Sequence, residues 1–178
     1  AIINTTYNSL VKELTLNGKP SKLLYDESYN RVFISTASAP YSIYTIDCSA
    51  DTVLKNETCS FSAGDLAFAY QQNKLYCSEQ IGFNIKVINF ADSTLSKTIT
   101  MQKVCTNVFY NPVNQMIYAY STSSNYDPML LIDCASDSVV DSVYTGRQVY
   151  GIVLDNRNSR ICMMNSGDNS LSILNGSD

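Results

Sequence analysis

Apolar and polar positions along this chain fall into short runs, and the runs recur. Leu24-Tyr25 leads through the polar turn Asp26-Glu27-Ser28-Tyr29-Asn30 into Arg31-Val32-Phe33-Ile34-Ser35. The same layout returns from Phe68 to Cys77, from Tyr110 to Tyr118, and from Leu154 to Cys162. The equivalent anchors Tyr25, Phe68, Tyr110 and Leu154 are spaced 43, 42 and 44 residues apart. Each period holds four β-type runs and no helical periodicity beyond a turn or two. First strands are predicted at Lys22–Tyr25, Asp65–Phe68, Asn107–Tyr110 and Gly151–Leu154. Second strands follow at Arg31–Ser35, Lys74–Ser78, Met116–Tyr120 and Arg160–Asn165. Third strands are expected at Ser42–Asp47, Asn84–Asn89, Met129–Asp133 and Ser170–Asn175. Fourth strands are expected at Leu10–Leu16, Thr52–Thr58, Thr94–Thr100 and Ser138–Tyr144.

A period of this length belongs to solenoids and propellers, and four antiparallel strands per period select a propeller blade. The expected fold is all-β, a single β-propeller domain or propeller segment over residues 1–178, in four repeats of about 43 residues. Leu23-Leu24, Val108-Phe109 and Ile152-Val153-Leu154 read as inner strands covered on both sides by neighbouring blades. Ser138 to Val143 alternates, as an outer strand with one solvated side does. Ile2-Ile3-Asn4 matches the end of each third strand, so the chain enters and leaves at the same phase. Three arrangements fit: a segment of a longer array, a closed four-bladed ring, or half of a dimeric eight-bladed ring. Residues 1–4 duplicate a third strand that Ser170–Asn175 already supplies, which favours an excised or processed segment.

Composition narrows the classes of function. Thirteen Tyr, with many Val, Ile, Thr and Ser, favour strands. A net charge of −4 disfavours a nucleic-acid backbone or an anionic membrane surface as partner. No apolar run is long enough to span a bilayer, so no membrane insertion is expected, and Ala1-Ile2-Ile3-Asn4 reads as a strand end rather than a signal peptide.

The chain has no His, which removes Ser-His-Asp and Cys-His pairs, imidazole metal ligands and a His general base. No catalytic residue, metal site or cofactor is expected. Asp47, Asn89, Asp133 and Asn175 recur at one repeat position and read as turn-forming residues. Cys48, Cys77, Cys134 and Cys162 read as small buried hydrophobes. Cys59 and Cys105 sit in or beside loops between repeats, paired or free, and no C-x-x-C occurs. The loop Asn165-Ser166-Gly167-Asp168-Asn169-Ser170 carries oxygen ligands but lacks the spacing and terminal Glu of an EF-hand, and reads as an ordinary loop. Three N-x-S/T tripeptides, at Asn4, Asn56 and Asn175, are what an Asn- and Ser-rich chain produces by chance.

At Tyr110-Asn111-Pro112-Val113-Asn114 to Ile117-Tyr118, then Ile132-Asp133 and Asp137-Ser138-Val139-Val140, the chain resembles the YVTN-type β-propeller repeat family. Repeat one carries the pattern as Asn30 to Ile34 and Ile46 to Val53. The resemblance implies a secreted or cell-surface protein, in propellers of seven or more blades. A propeller presents ligands where its first strands begin, here at Lys22, Asp65, Asn107 and Gly151, with Tyr41, Phe83, Tyr126, Arg147 and Tyr150 in neighbouring loops. Lys22, Asp65, Asn107, Arg147 and Tyr150 are the candidate binding residues, for a protein or carbohydrate ligand. The expected role is a non-catalytic scaffold or binding module outside the cell. A propeller-type enzyme with an axial site, resembling a lactonase or a quinone-dependent dehydrogenase, and a structural surface-layer component are the alternatives.

Overall fold

The computed structural model describes residues 1–92, 94–122 and 128–177. Every regular element among them is a β-strand. The chain divides into two compact units, Ala1–Ala63 and Gly64–Asp178.

The first unit opens with a hairpin of β1 (Ile2–Asn4) and β2 (Ser9–Lys12), followed by an antiparallel sheet of β3 (Pro20–Asp26), β4 (Arg31–Thr36), β5 (Ser42–Asp47) and β6 (Thr52–Thr58). β7 (Ala63–Ala69) begins at the division and forms a sheet with β8 (Lys74–Glu79), β9 (Asn84–Asn89) and β10 (Thr94–Thr100). β11 (Asn107–Asn111), β12 (Met116–Tyr120), β13 (Met129–Asp133) and β14 (Ser138–Val143) form the next sheet. β15 (Val149–Asp155), β16 (Arg160–Asn165) and β17 (Ser170–Asn175) form a sheet of three. Strands in each sheet pair in chain order, so each repeat is one meander.

The turns explain why the strands stop where they do. Asp47 Oδ1 accepts from the Ser49 N–H at 2.7 Å, Asn89 Oδ1 from Ala91 at 3.0 Å, and Asp133 Oδ2 from Ser136 at 2.8 Å. A short side chain that accepts from the backbone two or three residues on competes with the ladder and turns the chain. Asn30, Asn73, Gln115 and Ser159 take positive φ just before each second strand, and Asp51 and Asp137 do so before fourth strands. Asp and Asn bear this backbone at the lowest cost after Gly.

The outer hairpins share one register. Asp47 pairs Thr52 and Ile46 pairs Val53, then a bulge brings Thr45 opposite Lys55. Asn89, Ile88 and Val87 repeat this against Thr94, Leu95 and Lys97, as do Asp133, Ile132 and Leu131 against Ser138, Val139 and Asp141. Asn4, Ile3 and Ile2 follow it too, against Ser9, Leu10 and Lys12. The opening hairpin is therefore built as the outer half of a repeat. The expected fourth strand over Leu10–Leu16 ends early, at Lys12, because the three residues of β1 give it no longer ladder to join.

The core of the second unit lies between successive sheets. Ala67, Tyr76, Ile85 and Val87 pack against Val108, Ile117, Ala119 and Ile132. Tyr118, Tyr120 and Met129 pack against Val149, Ile161 and Met163. Interdigitating sheet faces of this kind supply most of the stabilisation of a helix-free fold. Not every first strand is covered as expected. Val108 is buried, but Leu23 and Val153 are 68% and 62% exposed. In β15 the reason is that a sheet of its unit lies against one face only.

Candidate functional site

In the second unit, β7 and β11 bring two of the expected rim residues together. Asp65 Oδ2 accepts from Asn107 Nδ2 at 3.4 Å and from the Val108 N–H at 3.3 Å. The Asp65 N–H donates to Ser78 Oγ at 2.8 Å, and that hydroxyl donates to the Thr106 carbonyl at 2.8 Å. Thr106 Oγ1 donates to Asn107 Oδ1 at 2.8 Å. Burial first, and then the Asp65 charge, push the Tyr120 phenol up to about 12. Asp65 thus serves as the acceptor that ties the starts of two first strands.

Arg147 and Tyr150 lie before and within β15. Arg147 Nε donates to Asp168 Oδ1 at 2.5 Å, the Arg147 backbone N–H to Asp168 Oδ2 at 2.5 Å, and Nη2 to the Gly167 carbonyl at 2.6 Å. The backbone N–H first, then the guanidinium, hold the Asp168 carboxyl below its ordinary range. The carboxylate of the Asn165–Ser170 loop is therefore engaged by an arginine. Gly167 is required by close approach, since a Cβ there would sit 2.8 Å from Arg147 Cβ. Tyr150, three residues after Arg147 in the chain, is 71% exposed.

Lys22 lies in the first unit, on β3, and lines a cavity of about 710 Å³. Ile2, Leu14 and Leu16 face Leu23, Val32, Ile34 and Ile46 across it, with Lys22 and Asp51 as its charged groups. Sequence reasoning missed the cavity, because it exists only where residues 1–16 meet the sheet β3–β6. It also missed the Arg147–Asp168 clamp, whose partners lie 21 residues apart and share no repeat position. Of the neighbouring aromatics, Phe83 is half exposed and Tyr41 partly buried, while Tyr126 lies outside the described residues.

All six cysteines are free thiols. Cys77, Cys105 and Cys134 are buried, while Cys48, Cys59 and Cys162 are partly exposed. Cys48 and Cys162 thus depart from the buried reading: Cys48 lines the cavity of the first unit, and Cys162 lies on the face of β15–β17 away from the core. Among the described residues no cluster of three His, Cys, Asp or Glu side chains is placed to hold a metal ion, and no helix is long and apolar enough to cross a membrane.

No protein-family profile matches the chain, and no curated sequence matches it. Solved structures do. Hydrazine synthase of Kuenenia stuttgartiensis superposes with a TM-score of 0.76 at 14% identity, over 93% of this chain and 48% of that one. A functionally unknown protein of Desulfotomaculum acetoxidans DSM 771 superposes with a TM-score of 0.72 at 14% identity, over 93% and 54%. The structure of U3-55K gives 0.65 at 11%, over 90% and 53%. At such identities the likeness is one of fold. The chain spans about half the length of each of these structures and shares with them a propeller-like, all-β architecture of four-stranded antiparallel sheets.

Proposed function

We propose that the four repeats are propeller blades and that the chain is a non-catalytic binding module for a protein or carbohydrate, working at the cell surface or outside the cell. The observation that carries the reading is Tyr150, a largely exposed ring on β15 three residues after Arg147, whose guanidinium is bonded to Asp168 and the Gly167 carbonyl. An exposed aromatic face beside pre-positioned polar groups suits stacking against a sugar ring or a peptide plane, with little ordering left to occur on binding. The resemblance to YVTN-type repeats supports the extracellular setting.

The test is a two-dimensional NMR titration of the chain with a chitin-type oligosaccharide and, separately, with a short unstructured peptide library. The reading expects shifts centred on residues 147–151 with one of the two probes, and at least tenfold weaker binding for Tyr150→Ala. Shifts with neither probe, or shifts that Tyr150→Ala leaves unchanged, reject it.

A further inference from the structure

Between β2 and β3 the first unit carries a strap that joins no sheet. β2 ends at Lys12 and β3 begins at Pro20. In between, Leu14 and Leu16 are partly buried while Glu13, Thr15 and Asn17 are exposed. An extended segment alternates in this way when one side of it faces an apolar surface. The far end of the strap is fixed. The Asn17 N–H donates to Tyr44 Oη at 2.9 Å, and that hydroxyl donates to the Asn17 carbonyl at 3.2 Å. Tyr44 is itself buried on β5. Gly18 then turns the chain at a φ of 96°, where a Cβ would meet the Ser38 and Pro40 carbonyl oxygens at 3.2 and 3.3 Å. Lys19 holds the turn: its N–H donates to Ser38 Oγ at 2.9 Å, and its carbonyl accepts from the Ala37 N–H at 2.8 Å.

The strap does not close down on the sheet. The cavity of about 710 Å³ lies between them, with Leu14 and Leu16 on one side and Leu23, Val32, Ile34 and Ile46 on the other. That volume is in the range of small-molecule sites. Its wall is aliphatic, and no aromatic ring is among its described lining residues. Such a wall suits an alkyl chain rather than a stacked ring. Leu23 is 68% exposed, so solvent reaches the cavity beside β3. The two charged side chains of the lining differ in standing. Lys22, near the start of β3, already has a partner. The Asp51 carboxylate, in the turn between β5 and β6, has no hydrogen bond or ion pair among the described residues. Asp47 close by is taken up by the Ser49 N–H. Burial first, and then the charges of Asp47 and Asp51, push the thiol of Cys48 up, and Cys48 lines the cavity with Asp51. The potential at this end of the cavity is therefore negative.

We infer that the first unit binds an aliphatic cation in this cavity, an alkylammonium whose chain lies between the strap and the sheet and whose head meets Asp51. Each methylene that leaves water for the aliphatic wall adds to the affinity. The ammonium keeps its charge because it meets a carboxylate at a mouth open to water. An alkyl carboxylate of the same length would set a second negative charge against Asp51. Entry is cheap in structural terms, because residues 13–16 have no strand ladder to break. The inference goes beyond the ligand role proposed for Tyr150 and shares no residue with it, so the loss of either leaves the other standing.

The test is a methyl NMR titration of the intact chain with octylammonium, octanol and octanoate, each kept below the concentration at which it aggregates. Octylammonium is expected to shift the methyls of Leu14, Leu16, Ile34 and Ile46. Leu171 and Ile173 of the second unit, 59% and 55% exposed, are the control for adventitious binding to bare apolar surface and are expected to stay in place. Octylammonium is expected to bind about fivefold more tightly than octanol, and octanoate more weakly than either. Asp51→Asn puts a residue that bears positive φ at a position whose φ is 53°. It is expected to bring octylammonium to within about twofold of octanol, because the chain still fits and only the charge is gone. Should that variant misfold, the preference of the wild type for octylammonium over octanol takes its part, and is expected to shrink as salt is added. No shift at the cavity methyls, shifts as large at Leu171 and Ile173, octylammonium bound no more tightly than octanol or octanoate, or a preference that survives Asp51→Asn overturns the inference.

Discussion

Single residues show how little side chain is needed to mark this repeat. Asp47, Asn89 and Asp133 were recognisable as turn formers because their position recurs, and each caps its own turn. The strongest individual contacts carry no such mark. Tyr76, fully buried, donates from its hydroxyl to Asp137 Oδ1, and the Cys134 carbonyl lies 3.4 Å away. Lys74 Nζ reaches the same carboxylate at 2.8 Å and the same carbonyl at 2.9 Å. Burial, and then the bond to Asp137, drive the Tyr76 phenol far above its ordinary range. Removing Asp137 strands a buried hydroxyl and a partly buried ammonium, so Asp137→Ala is expected to cost about 2–4 kcal/mol. Tyr76→Phe, which deletes one bond and keeps the ring, is expected to cost about 1–2 kcal/mol. Urea unfolding of both variants and of the double variant measures this, and the double is expected to cost less than the sum. Cys134, whose thiol burial pushes up to about 12, and fully buried Cys77 are expected to stay unmodified by iodoacetamide at pH 8 until the protein unfolds. Mass spectrometry of peptides from native and urea-treated protein tests that.

At the scale of elements, links between sheets are local variations on a common theme. The carbonyl after the third strand is gripped by the sheet before it: Cys134 O by Lys74, and Gly176 O by fully buried Asn111 at 2.7 Å. Asn111→Leu, close in size, is expected to destabilise the contact between β11–β14 and β15–β17 by about 1–3 kcal/mol, because it leaves that carbonyl without its donor. Hydrogen exchange of the β15–β17 amides is the measurement, with faster exchange there and little change in β7–β10. The Arg147–Asp168 clamp gives an element-level pH dependence. The Asp168 carboxyl titrates below its ordinary value, so the clamp contributes above that ordinary value and is lost as pH falls through the depressed one. Shifts of the Arg147 side-chain N–H on acidification are expected to follow that titration and to vanish in Asp168→Asn.

At the scale of the molecule, the repeat was legible to within a few residues. All third strands and most second strands lie where alternation placed them. First strands run longer, as with Ala63–Ala69, since their ends pair through small or polar residues that alternation does not reveal. The candidate site was legible in part. Asp65 and Asn107 meet, because they hold the same repeat position on successive first strands. Arg147 instead turns to Asp168 in a loop where the repeats diverge, and periodicity says nothing about loops. Nor did the inner-strand pattern reveal which faces stay bare: Leu23 holds the repeat position of Val108 and Val153 that of Phe109, yet Val108 and Phe109 lie in the core while Leu23 and Val153 are exposed.

What this chain's sequence determined by itself is the set of strands, their phase and the turns between them. Alternation over a few residues selects a face, and an Asp or Asn accepting from its own backbone ends a strand, so both act within reach of neighbours in the chain. The tertiary structure alone decided which of several equivalent faces are covered, which carbonyl each latch holds, and where a cavity is left. Those depend on what stands about 40 or more residues away, and burial is a property of that neighbour rather than of the residue buried.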